Sequence, residues 1–283
     1  MFLVVGGNSE IGSATAQLIR SRGGEVVCTT RRLPAGPDEV LLDLNRPVKD
    51  FVIPEGVTSA CIFVAVARLA ACEADPEGSA QINVKQIVAL TEMLAARGVY
   101  TLFLSTNQVF NGDTPHVPWD APLSPISEYG RQKADAERAL RALMRDGAPV
   151  GMLRLAKVVS PGMSLVATWK RELAAGRPIR AFNDMTMAPT PVKVVAESIA
   201  RMMEDRLASI AQLTGPQDVT YAEVGCSIAE RLGANPGLVQ PVSALDNGMP
   251  HGSTPRNTTL DSSFLLARYG LTAPAALDVI REL

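Results

Sequence analysis

Short apolar runs alternate with longer amphipathic stretches through roughly the first 160 residues. Six runs have the brevity and the Val, Ile, Leu and Phe content typical of strands covered on both faces: MFLVVG, GEVVCTT, DEVLLDL, ACIFVAVA, VYTLFLS and PVGMLRL. Between them, stretches such as IGSATAQLIRSRG and PEGSAQINVKQIVALTEMLAARG have helical spacing and end at a glycine. This alternation predicts an α/β fold with a doubly wound parallel sheet.

The rhythm changes after residue 160. PGMSLVATWKRELAAGRPI is predicted to be a helix ending at Gly176, PVKVVAESIARMMEDRLA another helix, and IAQLTG a late strand. A further helix is expected to begin at Thr220, with Glu223 at the capping-box position. The tail STPRNTTLDSSFLLARYGL is predicted to be a polar loop followed by a short helix. We expect one domain over residues 1–160, rejoined by segments near 186–215, and a smaller α/β region over 161–283.

Composition excludes several classes of protein. The 283 residues are 47% hydrophobic, enough for a large core in one or two domains. A net charge of −2 with interspersed acids and bases disfavours a nucleic-acid partner. The N-terminal run lacks a basic leader, so we expect a first strand rather than a signal peptide. No apolar run has the length of a membrane-spanning helix, so no membrane partner is expected.

The cysteines and histidines disfavour a metal site. Four cysteines are scattered without metal-type spacing, and we expect buried free thiols in a reducing compartment, most simply the cytoplasm. They are Cys28, Cys61, Cys72 and Cys226. His116 and His251 stand far apart, which disfavours both a histidine metal cluster and a serine–histidine triad.

The segment VVGGNSEIGSA joins the first predicted strand to the first helix. Gly6 and Gly12 take the outer positions of a G-x-x-G-x-x-G pattern, with Ser9 at the middle position. Such a turn lets the backbone approach a pyrophosphate at a helix N-terminus, so we favour a Rossmann-type NAD(P)-binding domain over a plain turn. The later region then becomes a substrate-binding lid. The turn residues expected at the cofactor are Gly6, Asn8, Ser9, Glu10, Ile11 and Gly12.

The end of the second strand discriminates between the two nicotinamide cofactors. An acid there would accept from a ribose 2′-hydroxyl and repel a 2′-phosphate, but this chain offers Arg31 and Arg32 instead. Two guanidiniums suit a phosphate, so NADP(H) is predicted over NAD(H), with solvent-facing arginines as the alternative. Asp43 is a candidate for the adenine amino group. Further cofactor contacts are expected from Leu44 and from Ala65, Val66 and Ala67 in the VAVA segment.

Tyr129 and Lys133 stand at i and i+4 in SEYGRQKADAERAL, side by side on one predicted helix face. A tyrosine with a solution pKa near ~10 is a poor proton donor at neutral pH, and a neighbouring ammonium lowers that pKa. We expect Tyr129 to protonate a carbonyl during hydride transfer, and Lys133 to assist it and to hold the nicotinamide ribose. Of Ser105 and Thr106 at the end of the fifth strand, Thr106 is favoured as the carbonyl-binding hydroxyl.

Together these motifs resemble the extended short-chain dehydrogenase/reductases, over essentially the whole chain. RLAKVVSPG resembles that family's R-x-x-N-V-x-G-P segment, with Lys157 in place of asparagine. FNDMTMAPTPVKVVAESIA resembles its D-x-x-x-x-P-T segment, and TPRNTTLDSS its R-P-x-x-x-L-D tail. The compact length and STxxVFxG are most similar to the dTDP-4-dehydrorhamnose reductase subgroup of the epimerase/dehydratase superfamily.

The resemblance implies an NADPH-dependent ketoreductase of a nucleotide-linked 4-keto-6-deoxy sugar. In the family's sugar dehydratases, an Asp-Glu pair follows the catalytic threonine and eliminates water. Here Asn107 and Gln108 stand in those positions, and amides cannot exchange a proton at ordinary pH. Elimination is therefore disfavoured. The two amides are expected either to hydrogen-bond the sugar or to stabilise the turn.

Three more polar residues are candidates for the site. Lys157 is expected to meet a diphosphate or a sugar hydroxyl, and Arg256 the nucleotide phosphates, with a structural salt bridge as the alternative for each. Asn83 resembles the asparagine that orders the family's active-site backbone, with a helix-surface asparagine as the alternative. Trp119 and Trp169 are predicted to be packing residues rather than stacking platforms.

Two other functions stay open. A nucleotide-sugar epimerase of the same superfamily would keep its cofactor bound through transient oxidation. A non-catalytic NADP-binding regulatory subunit would resemble the β subunit of methionine adenosyltransferase, although the intact Thr–Tyr–Lys set argues against it. A homodimer through helices near 80–96 and 127–146 would resemble the family's usual pairing.

Overall fold

The structure is a computed structural model that describes residues 1–34, 36–250 and 252–283, so His251 lies outside the described residues. Seven parallel strands form the central sheet: β1 (Phe2–Val5), β2 (Val26–Thr30), β3 (Glu39–Leu41), β4 (Ser59–Ile62), β5 (Tyr100–Thr106), β6 (Val150–Leu155) and β11 (Ile210–Leu213). Their order in the sheet is β11-β6-β5-β4-β1-β2-β3. All six apolar runs and the late strand IAQLTG thus take their predicted places in a doubly wound sheet.

Helices cover both faces of this sheet, which explains the continuous apolar runs. On one face, Leu3 and Val5 of β1 share a core with α4 (Ile87–Ala95) and α5 (Glu128–Arg145). On the other face, Val4 packs with α1 (Glu10–Ser21) and α7 (Val192–Glu204). Because successive strand residues point to opposite faces, one apolar strand serves both cores.

A second, smaller core lies within the later part of the chain. It is built by α6 (Ser164–Ala174), α8 (Tyr221–Arg231), α10 (Ala276–Glu282) and the parallel pair β8 (Ile179–Phe182) with β13 (Val239–Val242). Two shorter pairs are β7 (Val158–Val159) with β10 (Thr190–Pro191), and β9 (Thr186–Met187) with β12 (Val219–Thr220). The sequence pattern did not reveal β8, β13 or α10. Their apolar positions are few, and they pack within this second core, chiefly against α8.

Several local predictions for the region after residue 160 are confirmed. Thr220 caps α8, and the Thr220 and Glu223 side chains form the predicted capping box. The helix predicted to end at Gly176 is α6, and Gly176 has a positive φ of 68°. The polar tail leads into α9 (Ser263–Tyr269), as expected.

The long helix predicted over residues 76–98 is divided. It consists of α3 (Pro76–Ala80), a π-helical turn over Gln81–Gln86, and α4, preceded by the short α2 (Leu69–Ala74). A π-turn inserts an extra residue and re-aims a side chain, often at a functional site. This turn contains the buried side chain of Asn83.

The expectation of four buried thiols is wrong for one cysteine. Cys28, Cys61 and Cys72 are buried, but Cys226 is exposed on the outer side of α8. The buried side of that helix is formed by residues such as Val224 and Ile228. Among the described residues, no cluster of metal-ligating side chains occurs and no helix is long and apolar enough to cross a bilayer.

Candidate active site

The turn after β1 is built around two glycines and a serine. Gly6 has a φ of 94°, a left-handed conformation that favours glycine. Ser9 caps α1: its hydroxyl donates to the Gly6 carbonyl at 2.8 Å and accepts from the Gly12 amide at 3.1 Å. A Cβ at Gly12 would lie 2.6 Å from that carbonyl oxygen. The Ser9 side chain therefore stabilises the turn by hydrogen bonds inside it, and the backbone of the turn stays accessible to a ligand.

A cleft of about 310 Å³ opens beside this turn, at the carboxyl ends of the strands. Seven of the predicted cofactor residues line it: Gly6, Asn8, Ser9, Arg31, Leu44, Ala65 and Val66. Sequence reasoning missed Thr29 and Thr30 at the end of β2. The Thr29 hydroxyl accepts from the Gly6 amide at 3.0 Å, and that of Thr30 from the Asn8 side chain at 3.3 Å. Their place directly before the arginine pair was the available signal.

Other predicted cofactor residues lie next to the cleft rather than on its lining. Ile11 and Gly12 belong to the first turn of α1, where Ile11 packs against the sheet core. The Glu10 carboxylate accepts a hydrogen bond from Ser160, in the segment after β7. Ala67 is exposed at the end of the VAVA segment. These residues shape the turn and its surroundings.

Arg31 and Arg32 are both exposed at the end of β2. Arg31 lines the cleft. The backbone of Arg32 is held by a hydrogen bond, which its amide donates to the Thr30 hydroxyl at 3.1 Å. The carboxylate of Asp43 accepts from the amide and the side chain of Asn45 at 3.1 and 2.7 Å. These bonds lower the pKa of Asp43, and the charge of Arg31 lowers it further. Asp43 is thus engaged in a local turn.

Asn83 is fully buried and holds the VAVA segment in place. Its side-chain oxygen accepts from the Val66 amide at 2.8 Å, and its nitrogen donates to the Val66 carbonyl at 3.0 Å. The same nitrogen donates to the Gln132 side chain at 2.8 Å, which ties the segment to α5. The alternative of a helix-surface asparagine is therefore wrong. Asn83 acts on the cleft through the backbone of Val66.

The helix that carries Tyr129 and Lys133 begins against the loop after β5. Ser127 caps α5 by accepting from the Gly130 amide at 3.1 Å. A Cβ at Gly130 would lie only 2.3 Å from the Gln108 carbonyl oxygen. The absence of a side chain at this position lets the helix start pack against the end of β5. The glycine inside the Tyr–Lys motif is the sequence signal for this contact.

Lys133 points inward from α5. Its ammonium donates to the Leu104 carbonyl of β5 at 2.5 Å and lies 4.0 Å from the centre of the Phe103 ring. Burial lowers the pKa of Lys133 to about 7, although the nearby Glu137 carboxylate acts in the opposite direction. The lysine is therefore only partly charged at neutral pH.

Tyr129 is in a different state from the one expected from sequence. Burial raises the pKa of its phenol well above the ordinary value, and the neighbouring Cys72 thiol adds to the rise. The Lys133 ammonium on the same helix is bonded to the Leu104 carbonyl. Cys72 in turn donates to the Val66 carbonyl at 3.2 Å, which links the tyrosine's surroundings to the cleft. At neutral pH, Tyr129 carries its proton.

The two hydroxyls at the end of β5 point to opposite faces of the sheet. The Ser105 hydroxyl is buried and donates to Glu137 at 2.6 Å, within a network that Arg154 completes. The Thr106 hydroxyl accepts from the Gln108 amide at 3.2 Å and lies 3.4 Å from the Asn107 side-chain oxygen. Ser105 is engaged in the core, whereas the contacts of Thr106 are with the turn that follows β5.

The two amides differ in what they contact. The Gln108 side chain accepts from the Ser127 hydroxyl at 2.8 Å, so it links the turn after β5 to the start of α5. Asn107 is only partly buried, and its contact with Thr106 is long. Turn stabilisation thus accounts for Gln108, whereas Asn107 is available to a ligand.

Lys157 and Arg256 are both exposed, and neither side chain forms an ion pair within the described ranges. For Arg256 the alternative of a structural salt bridge therefore finds no support. For Lys157, desolvation lowers the pKa of the ammonium and the nearby Glu10 carboxylate acts in the opposite direction, so an electrostatic role within the fold keeps some support. Trp169 is buried in the second core, as predicted for a packing residue. Trp119 differs: half of its surface is exposed, and its carbonyl accepts from Arg154 at 2.8 Å.

Residues 1–281 match the protein family described as the RmlD substrate binding domain. Agl14 of Haloferax volcanii, a probable low-salt glycan biosynthesis reductase, is 25% identical over 99% of this chain and 96% of its own. A dTDP-4-dehydrorhamnose reductase of Sinorhizobium fredii is 26% identical over 94% and 95%. The β subunit of rat methionine adenosyltransferase 2 is 25% identical, over 68% of this chain and 59% of its own.

The fold is also found among solved structures. A hypothetical dTDP-4-dehydrorhamnose reductase from Sulfolobus tokodaii superposes with a TM-score of 0.83, over 98% of both chains. The sequences are 21% identical, so this likeness supports the fold alone.

Proposed function

The chain belongs to the RmlD substrate-binding-domain family, NAD(P)-dependent oxidoreductases of the extended short-chain dehydrogenase/reductase type, and from that premise we propose that it reduces the keto group of a nucleotide-linked 4-keto-6-deoxy sugar with NADPH. The predicted resemblance to this family is thereby confirmed. The observation that supports the proposal is the packing of α5, the helix of Tyr129 and Lys133, against the end of β5: Lys133 donates to the carbonyl of Leu104, two residues before Thr106.

The chain's residues fit a nicotinamide dinucleotide. The glycine turn leaves no room for a Cβ at Gly12 and closes on Ser9, so backbone amides at the start of α1 face the cleft. Ala65 and Val66 provide an apolar wall held by Asn83. Arg31 and Arg32 supply positive charge with no acid at the end of β2, which supports NADPH over NADH. When bound, the reduced nicotinamide supplies a hydride.

Tyr129 is the proposed proton donor. Its phenol carries a proton at neutral pH, as a donor to the keto oxygen must, but the raised pKa makes it a weak acid until a positive charge lies beside it. When the proton leaves, the phenolate needs a positive charge nearby, and Lys133 lies one helical turn away on the same face. With a pKa of about 7, Lys133 can take up a proton when negative charge develops beside it. Thr106 orients the substrate carbonyl through its hydroxyl.

The two amides support reduction over elimination. Asn107 and Gln108 cannot exchange a proton, and the Gln108 side chain is already engaged with Ser127. Reduction of a ketone needs only a hydride, a proton donor and an oriented carbonyl. Asn107 is proposed to hydrogen-bond the sugar, with Lys157 and Arg256 contacting its hydroxyls or phosphates.

One alternative has an observation in its favour. The similarity to the rat β subunit supports a non-catalytic regulatory role, and an epimerase remains the enzymatic alternative. The presence of a complete Thr–Tyr–Lys set supports catalysis. The homodimer and the cytoplasmic location stay predictions.

The test begins with binding. NADPH and NADH are titrated against the protein, and a dTDP-linked 4-keto-6-deoxy sugar is then added while consumption of the reduced cofactor is followed. We expect NADPH to bind more tightly and to be consumed, and Tyr129→Phe to lower kcat by at least about 100-fold, the usual scale of general acid catalysis. Tightly retained, unconsumed cofactor would favour the epimerase. An unchanged biological activity of Tyr129→Phe would favour the regulatory subunit.

A further inference from the structure

The segment over residues 252–260, here named the tail strap, is fastened to several parts of the fold. The amide and side chain of Asn257 both donate to the Gly112 carbonyl, in the loop after β5, at 3.0 Å. The Thr186 hydroxyl of β9 donates to the Pro255 carbonyl at 2.8 Å. A Cβ at Gly252 would lie 3.1 Å from the Ser127 amide at the cap of α5. The tail strap therefore runs along the side of the site where the catalytic helix begins.

One carboxylate, that of Asp218, holds the end of the tail strap. One oxygen accepts from the amide and hydroxyl of Thr258 at 2.7 and 2.6 Å. The other accepts from the amide and hydroxyl of Thr259 at 3.3 and 2.9 Å. Both threonines are buried. Hydrogen bonds to a charged acceptor are stronger than neutral ones, so four of them onto one carboxylate fix the backbone at this point.

Arg256 lies two residues before this anchor. Its backbone carbonyl is 3.3 Å from the Thr186 hydroxyl, so the main chain is held on both sides of the arginine. Its side chain is exposed and without an ion pair in the described part of the chain. Because the main chain that carries the guanidinium is held in place and no ion-pair partner competes for it, binding of an anion costs less conformational entropy.

We propose that Asp218 is a positioning residue that sets the affinity for the nucleotide sugar through Arg256. It has no contact with the substrate itself. By holding Thr258 and Thr259, it places Arg256 where the guanidinium can bind the diphosphate of a nucleoside-diphosphate sugar. This inference rests on the proposed function, because the diphosphate is that of the proposed substrate.

A purely structural anchor and a positioning residue predict different results. If Asp218 only stabilised the fold, its replacement would lower the free energy of unfolding and leave the binding of nucleoside diphosphate unchanged in the folded protein. If it positions Arg256, the substrate KM changes while kcat does not, since Tyr129 and Lys133 lie on another element. The effects of Asp218 and Arg256 replacements would then not be additive.

The test uses Asp218→Asn, in which one acceptor oxygen becomes an NH₂ group that faces the donors of a threonine. Asp205→Asn is the matched control, because Asp205 also accepts two hydrogen bonds, from Arg268 and Tyr269 of α9.

Binding of dTDP and of UDP is measured by calorimetry with NADPH present, and KM and kcat are measured with the keto sugar. Arg256→Ala and the double variant complete a double-mutant cycle. Thermal unfolding checks that each variant is folded, and Thr259→Val replaces Asp218→Asn if that variant fails to fold.

We expect Asp218→Asn to weaken diphosphate binding and raise KM roughly tenfold, the equivalent of one charge-assisted hydrogen bond, with kcat within about twofold of the wild type. In the Arg256→Ala background, Asp218→Asn is expected to have little further effect, and Asp205→Asn none in any background. Unchanged dTDP and UDP binding in Asp218→Asn, fully additive effects, or a fall in kcat alone would overturn the proposal. So would a wild type that binds neither diphosphate.

Different results would refute the proposed reductase activity and the proposed positioning role of Asp218. A wild type that binds dTDP or UDP but does not reduce the keto sugar would refute the reductase, while a weakened Asp218→Asn would still support the positioning role. A wild type that reduces the keto sugar, with an Asp218→Asn variant of equal KM, would refute the positioning role alone.

Discussion

The ammonium nitrogen of Lys133 lies 2.5 Å from the carbonyl oxygen of Leu104, so the α5 lysine is bonded to the backbone of β5 just before Thr106. The protonation of Lys133 depends on its burial, which the Glu137 carboxylate opposes. Burial lowers the pKa of Lys133 from its ordinary value to about 7, which has a consequence for stability.

Lys133→Met should change how stability depends on pH. Between the folded pKa of about 7 and the higher unfolded pKa, the unfolded lysine binds more protons than the folded one, so this residue makes the wild type more stable as pH rises. Below about pH 7 both states are protonated and the slope vanishes. The stability of wild type minus variant should therefore grow between pH 7 and 10, by at most about 1.4 kcal/mol per pH unit. Urea unfolding of the cofactor-free proteins measures it, and a pH-independent difference would contradict the prediction.

Glu137→Gln should be strongly destabilising. Glu137 and Arg154 are fully buried and joined by two hydrogen bonds of 2.8 and 2.7 Å. Although burial raises the pKa of Glu137, its bonds and charge interaction with Arg154 hold that pKa below the ordinary range. The substitution leaves the guanidinium buried without its counter-charge, a loss of about 3–5 kcal/mol. Denaturant unfolding measures it. The double variant with Arg154→Met should recover part of the loss, and a single-variant loss under about 1 kcal/mol would argue against a charged pair.

Asn83→Asp should weaken cofactor binding more than it changes the fold. An aspartate can still accept from the Val66 amide but cannot donate to the Val66 carbonyl or to Gln132. Without these bonds, Ala65 and Val66 are no longer held in place at the cleft. We therefore expect the Kd for NADPH to rise about tenfold and the free energy of unfolding to fall by about 1–3 kcal/mol. Fluorescence titration gives the Kd. An unaltered Kd in a destabilised variant would show that Asn83 serves only the core.

Gly130→Ala should impair the site even though alanine is the better helix former. An exposed helical position would gain up to about 1 kcal/mol from this change. Here the new Cβ would lie 2.3 Å from the Gln108 carbonyl oxygen, so α5 or the loop must move. We expect lower thermal stability and at least about tenfold lower kcat/KM, since small displacements of catalytic groups are costly. Gly162→Ala, with no atom within 4 Å of the added carbon, is the control.

The layered fold and much of the local structure were predictable from sequence. Continuous apolar runs marked the central strands, because strands covered on both faces have no polar side. The Thr220–Glu223 capping box and the glycine ends of the helices depend on neighbours in the sequence, and these were confirmed. The π-turn at Gln81–Gln86 was not predicted; it contains Asn83, whose partner Val66 lies 17 residues away in the sequence and leaves no local pattern.

The candidate site shows the same division. The sequence by itself determined which chemical groups are present: a glycine turn, two arginines after β2, and Thr106, Tyr129 and Lys133 at helical and strand positions that converge. The tertiary structure decided how those groups are engaged. It turns Lys133 to Leu104 rather than to Tyr129, assigns Ser105 to the buried Glu137, and anchors the tail strap through Asp218. The physical reason is that a buried polar group takes whichever partner the packing brings within about 3 Å, and partners distant in sequence leave no local pattern to read.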